Sequence, residues 1–134
     1  MNAPDTRRWL RFAREDLQAA EAMLRRADAY PRHACWLAQQ AAEKALKAVF
    51  VFLEIEFPFV HDLDYLRDLL PDGWRVKREQ PDLAALTEWA VEARYPGAMP
   101  EAVEADAQRA VQQARGVWES VYADLQERGF TEEA

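Results

Sequence analysis

The chain has 134 residues, half of them hydrophobic and 31% charged, with a net charge of −7. That is the size and balance of one globular domain, which excludes a disordered or fibrous polypeptide. A lone cysteine, Cys35, excludes an internal disulfide and a cysteine-rich metal site, and two histidines without matched carboxylate spacing lead us to expect no metal.

The charge is unevenly placed. Residues 1–50 carry nine Lys/Arg against six Asp/Glu, a surplus of +3, and the remainder carries −10. Such a chain is not drawn to duplex DNA by its overall field, so any anion site must be local and sought in the N-terminal half. Residues 1–30 contain Asp5, Glu15, Asp16 and Glu21 and no unbroken apolar run, so no signal peptide is expected. The most apolar stretch, Ala48 to Leu53, is too short to span a membrane. The expected compartment is the reducing cytoplasm, with no membrane association.

In chain order, the first predicted helix runs from a cap at Asp5 to about Ala29. Its stripe is Trp9, Phe12, Ala13, Leu17, Ala20, Leu24 and Ala27, and its opposite face carries Arg7, Arg11, Arg14 and Arg25. Pro31 opens a second helix that reaches about Glu54 and is nearly apolar all round after Lys47, the mark of a buried end. Pro58 breaks the chain. Asp62 then caps a short third helix with Leu63, Leu66, Leu69 and Leu70 inward, and Pro71-Asp72-Gly73 turns out of it. A fourth helix starts near Pro81, uses Leu83, Leu86, Ala90 and Val91, and stops at Tyr95-Pro96-Gly97. A fifth starts near Pro100 and carries Val103, Ala107, Val111, Ala114, Val117, Val121 and Leu125. No segment alternates like a strand. The expected fold is all-α: an up-and-down antiparallel bundle of four to five helices in a single domain over 1–134, frayed at 1–4 and 131–134.

The second helix reads HACWLAQQAAEKALK from His33 to Lys47. With Gln39 at zero, its polar residues and Trp36 all project within an arc of about 140°. That arc suits a nucleotide or RNA-end site, in which lysines meet phosphate, Trp36 stacks on a base and the glutamine amides read polar edges. It equally suits a solvated face bearing an ordinary Glu43–Lys47 surface pair. Cys35 reads as a small core residue.

This stretch resembles the HEPN family (higher eukaryotes and prokaryotes nucleotide-binding), whose recurrent core is Q-Q-A-x-E-K-x-L-K. Two further motifs agree in order: His61-Asp62-Leu63 after that helix, and Arg94-Tyr95-Pro96 at the end of the fourth. The resemblance implies an all-α bundle that commonly forms a homodimer, often paired with a minimal nucleotidyltransferase in a toxin–antitoxin-like module. No cofactor is expected. Ribonuclease members carry Arg, four to six residues, then His at the end of the fourth helix. Here no histidine follows Arg94 at all, so a self-sufficient nuclease is not expected. The alternatives are a ribonuclease toxin with Arg94 and His61 joined in space, and a structural adaptor without a ligand.

The candidate ligand-binding set is therefore His33, Trp36, Gln40, Glu43, Lys44, Lys47, His61 and Arg94, with Tyr95 a candidate acceptor for nucleotidyl modification. Each has a plainer reading: Asp62 as a cap with His61 at the helix boundary, Arg94 paired with Glu101 or Glu104, Tyr95 packed on Pro96. Five tryptophans are many for this length, and some are expected to mark a dimer face.

Overall fold

The computed structural model describes residues 3–97 and 99–132. These form six helices and no strand: α1 (Ala3–Leu24), α2 (Pro31–Leu53), α3 (Leu63–Leu69), α4 (Arg75–Glu79), α5 (Ala84–Glu92) and α6 (Glu104–Glu127). The element beyond the expected four to five is α4, a five-residue helix too short to show a periodic stripe. Its start is fixed by side chains distant in sequence: the buried carboxylate of Asp124 accepts from the Arg75 backbone N–H, and the Arg128 guanidinium lies 4.0 Å over the Trp74 ring.

The bundle proper is α1, α2, α5 and α6, alternating in direction. Arg7 reaches the Thr131 carbonyl, so α1 and α6 run antiparallel, while Arg32 reaches the carbonyl of Ala93, so the end of α5 lies beside the start of α2. At the centre lies α2, packed on α1, α3, α5 and α6. Its alanines 34, 38, 41, 42, 45 and 48 are all buried, and they meet Ala13 and Ala20 of α1 and Ala107, Ala110 and Ala114 of α6 in one core cluster. Side chains this small let helix backbones approach closely, which is why the most alanine-rich segment becomes the axis. It ends where Glu54 adopts a left-handed conformation (φ 57°), its N–H bonded to Phe50 O and Val51 O.

Several expected positions move. Helix α1 begins at Ala3, so Asp5 lies in its first turn instead of capping it, and Ala3 and Pro4 are helical; the fraying expected at 1–2 and 133–134 lies outside the described residues. The buried stripe of α1 is Thr6, Leu10, Ala13, Leu17 and Ala20, leaving Phe12 exposed. Leu69, Val91 and Val103 are exposed because α3 is a two-turn helix and the other two sit at helix ends. Among the tryptophans Trp74 is buried and the others pack partly buried against the core, so the exposed rings are instead Phe12, Tyr30, Phe59, Tyr65 and Tyr95. No described helix is long and apolar enough to cross a membrane.

Candidate functional site

The polar residues of α2 form a hub around Glu43. Its carboxylate accepts from Lys47 Nζ (2.9 Å), from Gln39 Nε2 (3.1 Å) and from His61 Nδ1 (2.8 Å). Gln39 also reaches the His61 carbonyl (3.3 Å), and Gln40 Nε2 donates to Gln39 Oε1 (2.7 Å). Gln39 is fully buried, and Glu43 and Lys47 are only 7% and 6% exposed. The Glu43–Lys47 pair forms at the expected helical spacing, but it is a buried pair, not a surface one. The loop Ile55–Val60 covers it, with the Lys47 ammonium 5.4 Å from the centre of the Phe57 ring, and that ring meets Trp9 and Phe50.

Burial alone would push the Glu43 carboxyl up. The hydrogen bonds from His61, Lys47 and Gln39, together with the Lys47 charge, outweigh it and hold the group below its ordinary value of 4.5. Glu43 is therefore an anion that accepts only, so the proton on the shared edge must sit on His61 Nδ1. In the neutral ring this tautomer makes Nε2 the acceptor, and the side chain is 60% exposed. A histidine oriented by a buried carboxylate is the arrangement that supports proton acceptance at the outward nitrogen.

His61 is placed by its two neighbours. The Asp62 side chain accepts from the Tyr65 N–H and caps α3, and Leu63 is buried with its N–H on Thr87 Oγ. The three residues thus divide the work into hub ligand, cap and core anchor.

The remaining candidates do not join the hub. Lys44 turns the other way around α2 and pairs with Asp16 of α1. His33 is half-buried near the start of α2, its ring edge-on to Tyr30 at 5.9 Å. Arg94, just past α5, lies 6.0 Å over Trp36 and 5.3 Å over Tyr95, and donates to the Tyr95 hydroxyl (3.3 Å). Among the described residues Arg94 makes no ion pair with Glu101, Glu104 or another carboxylate, and its partners are the Trp36 and Tyr95 side chains. Tyr95 is exposed and lines, with Arg94, Arg32 and Met99, a cleft of about 340 Å³.

Arg94 and His61 thus address different turns of α2. Their contacts, Trp36 and Glu43, are seven residues apart, roughly 10 Å along the axis. The structure joins Glu43, Lys47 and His61 and leaves Arg94 with Trp36 and Tyr95. The candidate set omits Gln39, Phe57 and Asp16, which hold the hub and Lys44 in place. Among the described residues no group of three or more His, Cys, Asp or Glu is arranged to hold a metal ion.

The HEPN domain profile matches residues 6–127. The chain belongs to the HEPN family. The crystal structure of TT1696 from Thermus thermophilus superimposes with a TM-score of 0.79 at 30% identity, covering 93% of this chain and all of that one. ST0689, an archaeal HEPN homologue, gives a TM-score of 0.68 at 25% identity, with coverage of 90% and 97%. A comparison with curated proteins finds no match. The matched span includes all three motifs, so the Glu43 hub and the Arg94 end are parts of a HEPN bundle.

Proposed function

We propose that this HEPN protein is a nucleotide- or RNA-associated partner of a minimal nucleotidyltransferase, in a toxin–antitoxin-like pair, and is not a self-sufficient nuclease. The observation that carries the reading is the place of Arg94. Metal-independent RNA cleavage needs a cation on the phosphate and a proton carrier at the same scissile bond. Arg94 is turned onto Trp36 and Tyr95, while His61 is tied to Glu43 about two helical turns away. The remaining nearby cation, Lys47, is buried against Glu43 and Phe57.

What the Arg94 end offers is recognition. A guanidinium over two rings beside an open cleft suits a nucleotide or a partner surface, and the Tyr95 hydroxyl is an exposed acceptor for nucleotidyl transfer. Exposed Tyr95 and Met99 line it, and Val91 and Val103, close in sequence, are exposed too, apolar surface that supports a homodimer in which two such ends meet.

One observation favours a second reading. The Glu43–His61 dyad, with its outward Nε2, would serve a ribonuclease that draws its phosphate-binding cation from a second protomer.

The experiment is to incubate the purified chain with a minimal nucleotidyltransferase and ATP labelled at the α-phosphate, whose transfer to the Tyr95 hydroxyl would release pyrophosphate, and to weigh the chain by light scattering. The reading expects label on the wild type, loss of label in Tyr95→Phe, and a mass of two chains. No label together with no co-elution of the pair would overturn the partnership, and a one-chain mass would overturn the dimer.

A further inference from the structure

The N-terminal half of α1 carries a feature that neither the hub nor the Arg94 end uses. Two surface grooves meet there and share Arg8. One, of about 420 Å³, is lined by Arg7, Arg8, Arg11 and Arg14 and closed by Phe130 and Glu132. The other, of about 280 Å³, is lined by Arg8, Trp9 and Phe12, with Asp5 and Lys44 at its walls. Four guanidinium groups within two turns of helix are a strong local concentration in a chain whose net charge is −7. Arg8 is exposed and makes no ion pair or hydrogen bond among the described residues. Arg11 meets Glu15 only at 3.6 Å, both groups more than half exposed.

Aromatic rings are interleaved with these cations. Phe12 is 43% exposed, with the Arg11 guanidinium 5.2 Å from its ring centre. Arg14 lies 4.8 Å over Trp118, which stacks on Tyr122 at 4.7 Å. Beyond Trp9 the rings continue through Phe57 to Phe59, which is 95% exposed.

The first groove already holds oxygen ligands from the chain itself. Arg7 Nε donates to the Thr131 carbonyl (2.9 Å), and Arg14 pairs with the Glu132 carboxylate. A carboxylate and a carbonyl sit where phosphate oxygens of a bound strand would sit.

We propose that this face of α1 binds single-stranded nucleic acid, with Arg7, Arg8, Arg11 and Arg14 on the backbone, Phe12 stacking on a base, and Glu132 competing for Arg14. The arginines span roughly 10 Å along the helix, enough for two to three phosphates. An acidic peptide would use the cations and leave the flat rings unused, whereas a single strand has unpaired bases to stack on them. The inference rests on the RNA-associated half of the function proposed above and is independent of the nucleotidyltransferase half.

The test is fluorescence anisotropy with a labelled single strand of about a dozen nucleotides, as RNA and as DNA, against the full chain. Both strands are expected to bind, with a log–log salt slope of about −2 for three released counterions; binding of RNA alone would also support the site, through its 2′-hydroxyls. Arg8→Glu/Arg11→Glu should weaken binding at least tenfold. Phe12→Ala should weaken it roughly tenfold. Glu132→Gln should tighten it by about twofold to fivefold. Arg109→Glu, exposed on α6, should change nothing. All these side chains are exposed, and an unchanged melting curve confirms that each variant folds. Binding that survives the double reversal but is lost in Arg94→Ala would overturn this site and leave RNA association at the Arg94 end. No binding of either strand at low salt would overturn both.

Discussion

Replacing Glu43 by Gln removes one charge from the hub and keeps its shape. Lys47 then holds an ammonium 6% exposed, with no carboxylate partner among the described residues and the Phe57 ring beside it. Breaking a buried ion pair from one side costs about 3–5 kcal/mol. A glutamine still offers Lys47 and His61 a carbonyl, which places the expected loss at the lower end, about 3 kcal/mol of a total stability of about 5–15. For a chain of this length that is about 12 °C in Tm.

The loss should also depend on pH. The Glu43 carboxyl is held below its ordinary value of 4.5, so the unfolded chain takes up this proton more readily than the folded one. Its contribution is present above pH 4.5 and is lost as the pH falls through the folded value. Urea melts at pH 7 and near pH 3 are the assay. Glu43→Gln should be markedly weaker than wild type at pH 7, and its deficit should shrink as the pH falls below 4.5. A deficit under about 1 kcal/mol at pH 7, or one that persists unchanged in acid, would refute the hub as the anchor of the Ile55–Val60 loop. In a double-mutant cycle with Lys47→Met, the double variant should lose less than the sum of the two single losses, with a coupling of about 1–3 kcal/mol.

Two further predictions follow from burial and close approach. Burial, reinforced by the charge of Asp106, pushes the Cys35 thiol up to about 12; alkylation at pH 8 should therefore proceed only as the chain unfolds, and fast native-state labelling would show that α2 is not sealed there. Gly116→Ala should raise stability by about 0.5 kcal/mol, seen as a slightly higher Tm, because alanine gains about 1 kcal/mol of helix propensity. The new Cβ meets only the amide end of the flexible Gln80 side chain, 2.5 Å from its ideal position; a lower Tm would mean that this amide cannot swing aside.

The bundle is legible in the sequence because its helices carry their own start and stop signals: Pro31 at the start of α2, Asp62 as the cap of α3, and Pro96 after α5. The face of α2 is less so. Its projection puts Gln39, Glu43, Trp36 and Lys47 together, and the structure keeps Gln39, Glu43 and Lys47 in one hydrogen-bonded group. The same projection sets Leu46 and Phe50 within about 20° on either side of Gln39. Those neighbours are a sign that the arc around Gln39 points into the protein and Lys44 does not. What no periodicity can show is the covering loop, since Phe57 and His61 reach back to Lys47 and Glu43 from beyond the end of α2. Helix α4 is hidden for a similar reason: the Asp124 carboxylate that holds its start is 49 residues away.

The central claim is that Arg94 and His61 do not act as one cleaving pair. Its most direct measurement is an RNA-cleavage assay on the purified chain, with Arg94→Ala and His61→Ala beside the wild type and no divalent cation added. The account predicts no cleavage above background in any of the three. Cleavage by the wild type that is abolished by either substitution would contradict it.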